Sequence, residues 1–213
     1  MRALVTGFDP FGGDRVNPSS LALGRLKAKI GDVEIATAEL PTSYATSAQV
    51  LRAAIDKVRP DIVLCVGQAG GRTDLCLERI GINVQDARIP DNDAKQPIDM
   101  PVVAGGPAAY FATLPIKACV AEMRKAGLPA VVSNTAGTFV CNHILYSLMD
   151  IIALHKTPMR GGFLHIPYVP EQAAHFGGAP SMAIDDIVRG IEIIVAVSAS
   201  RTDDIHTAEG RIF

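Results

Sequence analysis

The chain has 213 residues, 48% hydrophobic and 20% charged, with 20 basic side chains against 22 acidic ones. A net charge of −2 with no Lys/Arg block offers no field for a polyanion, so nucleic acid is excluded as an expected partner. The length suits a single domain, 1–213, whose core is large enough to need no staples.

The opening MRALVTGFDP reaches a Gly/Pro turn without an apolar stretch of signal-peptide length. The most apolar window, 191–200, contains Glu192 and is too short to span a bilayer. A cytoplasmic protein with no membrane partner is therefore expected. Cys65, Cys76, Cys119 and Cys141 show neither CxxC pairing nor metal-ligand spacing, so they read as reduced thiols. Neither a metal nor a cofactor is expected.

In chain order, 3–7 reads as a buried strand ending in the turn GFDPFGGDRVNP. Asn17 then reads as an N-cap, Pro18 as the first helical position and Gly31 as a stop, predicting a helix over 18–30. A strand at 33–40 precedes a helix within 43–58, where Leu51, Ala54, Ile55 and Val58 share one face. The apolar run 61–66 predicts a strand covered on both faces. Segment 75–89 partly alternates, suggesting an antiparallel excursion, and 90–106 is turn-rich and reads as a loop.

A helix near 115–126 leads to a strand at 130–133, a helix near 141–155, a strand at 162–166 and a last helix near 181–199. This alternation predicts an α/β fold, a three-layer α/β/α sandwich around a mainly parallel twisted sheet. In such folds ligands gather beyond the carboxyl ends of strands, where GFDPFGG, GQAGGR, SNTAGTFVC and HIP fall.

Cys65 and Cys119 lie in apolar patterns and read as small core hydrophobes, and nothing beside Cys76 suggests activation. Cys141 follows a small-residue turn and opens a helix, where unpaired amides and the helix dipole favour a thiolate and offer donors to an oxyanion. A packed structural thiol is the alternative. Of the histidines, His155 is near a helix end, His206 is in a polar tail and His175 is in a loop. His143 follows Cys141 by two positions and so points to another side of the helix. His165 ends the strand at 162–166, at the sheet edge that the Cys141 turn should reach. It is a candidate base or, equally, a packed histidine.

GFDPFGGDRVNPS (7–19), ERIGINVQDARIPDN (78–92), SNTAGTFVCN (133–142) and GFLHIPYVPEQ (162–172) resemble the pyroglutamyl-peptidase I family in order and spacing, over essentially the whole chain. The resemblance implies a phosphorylase/hydrolase-type α/β/α sandwich, assembled as a homo-oligomer (tetramer or dimer). It also implies removal of N-terminal pyroglutamate from peptides through a thioester. Matched motif by motif, Cys141 is the nucleophile, His165 its base and Glu78 the carboxylate that orients the imidazole. Without the resemblance, Glu78 would read as a solvated strand carboxylate.

The resemblance also puts Phe8, Phe11 and Phe139 around the lactam ring. Asn17 positions the Phe8/Phe11 loop, or serves only as a cap, and Gln68 offers a backbone carbonyl to the lactam N–H. Arg88 either adds positive charge near the centre or pairs with Asp86, Asp91 or Asp93. Two other readings stay open. One is a phosphorylase-like transferase binding phosphate on its glycine loops, although GFDPFGG lacks the Lys-Ser/Thr of a P-loop and the GxGxxG spacing. The other is a non-catalytic ligand-binding domain in which Cys141 is merely packed.

Overall fold

Apolar runs without polar alternation need cover on both faces, and the tertiary structure supplies it. The computed structural model describes residues 1–155 and 158–211, with the His155 side chain outside the described set. The elements are β1 (Arg2–Phe8), α1 (Pro18–Leu23), β2 (Lys29–Ile30), β3 (Val33–Leu40), α2 (Ser47–Val58), β4 (Ile62–Gln68) and β5 (Leu75–Glu78). They continue with β6 (Ile80–Ile82), β7 (Ala109–Phe111), α3 (Ile116–Lys125), β8 (Ala130–Ser133), α4 (Val140–His155), β9 (Arg160–Ile166), α5 (Pro170–Ala173) and α6 (Ile184–Ser200).

The main sheet runs β2-β3-β1-β4-β9-β5-β8. Its β1/β3, β1/β4, β4/β9 and β5/β8 pairs are parallel, whereas β2/β3 and β5/β9 are antiparallel. The expected sandwich around a mainly parallel sheet is what forms. One face packs Val5, Leu64 and Leu164 under α1, α3 and α6, with Met123, Ile187 and Ile194 in that core. The other packs Leu4, Val63 and Phe163 under α2 and α4, with Leu51, Ile55, Ile144 and Leu148. Consecutive strand residues alternate between two dry layers, as the pleat requires.

Two expectations need correction. The helix expected over 18–30 ends at Leu23, and Lys29–Ile30 instead forms the edge strand β2. Gly31 is not a helix stop but, at φ 55°, a turn residue between β2 and β3. The apolar spacing of Leu26 and Ile30 mimics a helical face, but these side chains reach the same core from a turn and a strand. The excursion at 75–89 also splits. Its first part, β5, joins the main sheet between β9 and β8, and only β6 leaves it, pairing antiparallel with β7.

The loop at 90–106 lacks helix or strand but is firmly tied. Asp91 Oδ1 accepts from the Asp93 and Lys95 amides (2.9 and 2.7 Å), and its Oδ2 accepts from the Tyr44 amide (2.8 Å).

Candidate active site

The carboxyl ends of β1, β4 and β9 meet the start of α4 around a cleft of about 750 Å3. Phe11, Gln68, Arg88, Phe139, Cys141 and His165 line it. Loops after the strands shape its rim. Gly12 and Gly13, at φ 65° and 87°, allow the loop after β1 to fold back. Asn17 then closes that loop: its Oδ1 accepts from the Ser19 amide at 3.1 Å, capping α1, and its Nδ2 donates to Asp9 O at 3.0 Å. Asn17 therefore both caps and positions, from a buried place behind the wall. Phe8 also lies behind it, packed on Phe163 with ring centroids 6.3 Å apart.

Gly67 decides where the thiol goes. A Cβ there would stand 2.8 Å from Phe163 Cζ and 3.0 Å from Cys141 Sγ, so only glycine lets the sulphur settle onto the sheet. Gly67 is the register partner of His165 in the parallel β4/β9 pair. Neighbouring strands are about 4.8 Å apart, so the sulphur sits beside the histidine strand. The start of α4 is held down by Asn142. Its Oδ1 accepts from the Ile82 amide, and its Nδ2 donates to Ile82 O and Val84 O, all at 2.9 Å.

Beneath the cleft, His165 Nδ1 is 2.7 Å from Glu78 Oε1, and Arg72 Nη1 donates to the same oxygen at 2.6 Å. Glu78 is fully buried, and Arg72 is its ion-pair partner. A carboxylate only accepts, so Nδ1 carries the proton and Nε2 is left as a base. Arg72 is a residue that reading the sequence missed. It closes GQAGGR, a motif marked for its glycines, and also donates to Thr135 O at 3.2 Å, tying that turn to the one before Cys141.

Burial works against the expected thiolate. Burial pushes the Cys141 thiol up to about 12, with Glu78 adding to the rise and Arg72 opposing it. Burial likewise holds the His165 imidazole below its ordinary value, against the pull of Glu78 and with Arg72 adding to the depression. Desolvation thus works against the charged form of both the thiol and the imidazole. Cys65, Cys76 and Cys119 are raised as well, to about 12, 11 and 12. Thiol acidity does not single out Cys141. Its opening into the cleft does, since the other three are fully buried.

Phe11 and Phe139 pack against each other at the cleft with centroids 6.0 Å apart, and Tyr44 packs edge-on against Phe139 at 5.7 Å. Arg88 is exposed on the wall and forms no ion pair among the described residues. Of its expected alternatives, Asp91 is occupied by backbone amides and Asp93 by Ser43 Oγ at 2.5 Å. His143 is buried on Tyr44, away from the cleft, and His175 and His206 are exposed.

No group of three or more His, Cys, Asp or Glu side chains suited to a metal occurs among the described residues. No helix among them is long and apolar enough to cross a membrane.

A family model described as pyroglutamyl peptidase matches residues 1–201. The pyrrolidone-carboxylate peptidase of Erwinia tasmaniensis is 54% identical over 210 residues, covering 98% of both chains. That of Brevibacillus brevis is 51% identical over 212 residues, again covering 98% of each. Among solved structures, pyroglutamyl peptidase I from Bacillus amyloliquefaciens superposes with a TM-score of 0.95 at 50% identity, covering 97% of this chain and 99% of that one. A mutant pyrrolidone carboxyl peptidase from Pyrococcus furiosus gives 0.91 at 38% identity, covering 94% and 99%. The chain belongs to the pyroglutamyl peptidase family.

Proposed function

We propose that Cys141, His165 and Glu78 carry out the family's reaction, removal of an N-terminal pyroglutamyl residue from a peptide. Cys141 Sγ attacks the carbonyl that joins pyroglutamate to the next residue while His165 Nε2 takes the thiol proton. Because burial disfavours both charged forms, proton transfer accompanies attack. Glu78 holds the imidazole in its Nδ1–H tautomer and steadies the imidazolium. The Cys141 amide, one of the first at the helix start, donates to the oxyanion, a contact worth about 2.7–4 kcal/mol. His165 returns its proton to the leaving amine, and water then hydrolyses the thioester with His165 again as base.

The lactam ring rests against the Phe11–Phe139 pair, and the Gln68 backbone carbonyl accepts from its N–H. Phe8 and Asn17 hold the loop that presents Phe11, and Arg88 adds positive charge at the rim. A proline in place of pyroglutamate leaves the polar groups of this pocket unpaired, and selectivity follows.

The observation that supports this reading is the seating of Cys141 Sγ on Gly67, register neighbour of a His165 tied to a buried Glu78. The transferase and binding-module readings are not favoured by the family match. A pyroglutamyl-coumarin amide should be cleaved at least ~10³-fold better than its prolyl analogue. Cys141→Ala should abolish turnover, and full activity in that variant would refute the thiol mechanism.

The chain is read as one peptidase domain. Its four free thiols suit a reducing cytoplasm. The resemblance also supports a dimer or tetramer, which would cover exposed apolar side chains such as Ile98 and Phe111. Sedimentation at micromolar concentration reads that mass directly.

A further inference from the structure

The cleft has a further wall that the reaction above does not use, formed by Asp14, Tyr168 and Phe176. The Tyr168 and Phe176 rings stack at 4.9 Å with planes 13° apart, and Phe176 is left 45% exposed. Tyr168 is seated tightly on the glycine turn, where a Cβ on Gly70 would fall 2.2 Å from its Oη. Beside this platform, Asp14 Oδ2 accepts from Gln172 Nε2 at 2.7 Å and from Gln68 Nε2 at 3.5 Å. Gln172 Nε2 is shared with Gln68 Oε1 at 2.9 Å, and both glutamines are buried.

The donors that fix Asp14 are neutral amides, so they hold the carboxylate in place without cancelling its charge. Among the described residues no Lys, Arg or His forms an ion pair with it. Arg15 and Arg88 are exposed and unpaired with it, and Arg88 shares the wall of Asp86, whose amide donates to Thr138 O at 3.1 Å. Tyr168 feels the charge: its phenol is raised by burial and, next, by Asp14.

A fixed carboxylate with no ion-pair partner among the described residues, beside an open aromatic face, is a receptor for a cation. The carboxylate offers charge-assisted hydrogen bonds and the rings offer a π face. The pyroglutamyl ring is uncharged and has no use for the carboxylate.

The direction of the reaction says which part of the substrate arrives there. His165 protonates the leaving amine, so the leaving residue lies on the histidine side. Tyr168 follows His165 by three positions on the segment that continues from β9, and Asp14, whose amide donates to Phe11 O at 3.2 Å, borders the pyroglutamyl side of this platform. We propose that Asp14, Tyr168 and Phe176 form the subsite for the residue after pyroglutamate and favour a cationic side chain there, arginine above lysine. A planar guanidinium both stacks on the rings and pairs with the carboxylate, whereas an ammonium does only the second well. This inference rests on the peptidase reading above.

The test compares kcat/KM for pyroglutamyl-arginine amide with that for pyroglutamyl-citrulline amide, which has the same shape and no charge. The native protein should prefer arginine about fivefold, the scale of a partly exposed ion pair. In Asp14→Asn the ratio should fall to about one. In Phe176→Ala the arginine-to-lysine ratio should fall. Each ratio is internal to one protein sample, so incomplete folding of a variant scales both rates and leaves the readout intact. A native ratio near one, or a preference that survives in Asp14→Asn, overturns the subsite while leaving the peptidase reading in place. Failure to cleave any pyroglutamyl amide overturns both.

Discussion

The two faces of the sheet are built from the same materials and use them differently. On the face under α1, α3 and α6, Cys119 is buried with Ser198 Oγ and Ile194 O each 3.9 Å from its sulphur. On the face under α2 and α4, Cys141 is raised to the same value of about 12 but opens into the cleft. Each face also has a glycine that admits a close neighbour: Leu75 approaches Gly190 on one, and the Cys141 sulphur and Phe163 approach Gly67 on the other. On the first face burial raises a thiol that stays closed to solvent. On the second, where ionisable groups are buried with it, burial also decides which atoms hold protons. Chemistry comes from what is packed beside the thiol and not from the thiol's own acidity.

Breaking the charged cluster should have the largest effect. Arg72→Met leaves Glu78 buried without its ion-pair partner, which should cost about 3–5 kcal/mol of stability by urea unfolding at pH 7. The same variant should move the acid limb of kcat/KM to higher pH. Burial and Arg72 both depress the His165 imidazole, so the native limb lies below 6.5, and removing the cation lets the ring protonate earlier. An acid limb unmoved in this variant would show that Arg72 does not act on the histidine's charge.

The matched glycines give the next largest difference. Gly67→Ala should lower kcat about a hundredfold, because a displacement of about 1 Å at the nucleophile has that scale. Gly190→Ala would bring a Cβ to 2.4 Å from Leu75 Cδ1 and should instead cost about 1–3 kcal/mol of stability, with kcat per folded molecule within about twofold. Equal loss of kcat in both would erase the contrast between the faces.

The smallest effect concerns a histidine on the site face that the mechanism does not use. His143 is 6% exposed, neither ring nitrogen has a hydrogen bond, and burial lowers its pKa to about 4. The unfolded chain takes up that proton below about 6.5, whereas the folded one does not until about 4. The stability His143 contributes is therefore complete above 6.5 and is lost as pH falls towards 4. Between pH 7 and pH 5 the native protein should lose about 2 kcal/mol more than His143→Phe. Parallel losses in the two proteins, from urea midpoints at both pH values, would count against a neutral His143.

Much of this was legible along the chain. The runs at 3–7, 61–66, 130–133 and 162–166 are buried on both faces, so continuous apolar sequence marks them. The Asn17-Pro18 cap marked where α1 begins, but not where it ends. A helical spacing at Leu26 and Ile30 is equally met by a turn and an edge strand that face the same core. Cys141, His165 and Glu78 stood in long motifs, whereas Arg72 and Asn142 did not stand out. Arg72 pairs with Glu78 only six positions on, but across the turn between β4 and β5, and Asn142 is defined by partners distant in sequence, Ile82 and Val84.

By itself, then, the sequence determined the alternation of elements, the family and the motifs that bear a thiol, an imidazole and a carboxylate. Only the tertiary structure decided that β4, β9 and β5 lie side by side, an order unrelated to their order in the chain. That adjacency seats the sulphur on Gly67 next to His165 and buries Glu78 against Arg72. It also sets the direction in which both groups' pKa values are pushed, because desolvation and Coulomb fields depend on neighbours in space, which no local pattern records.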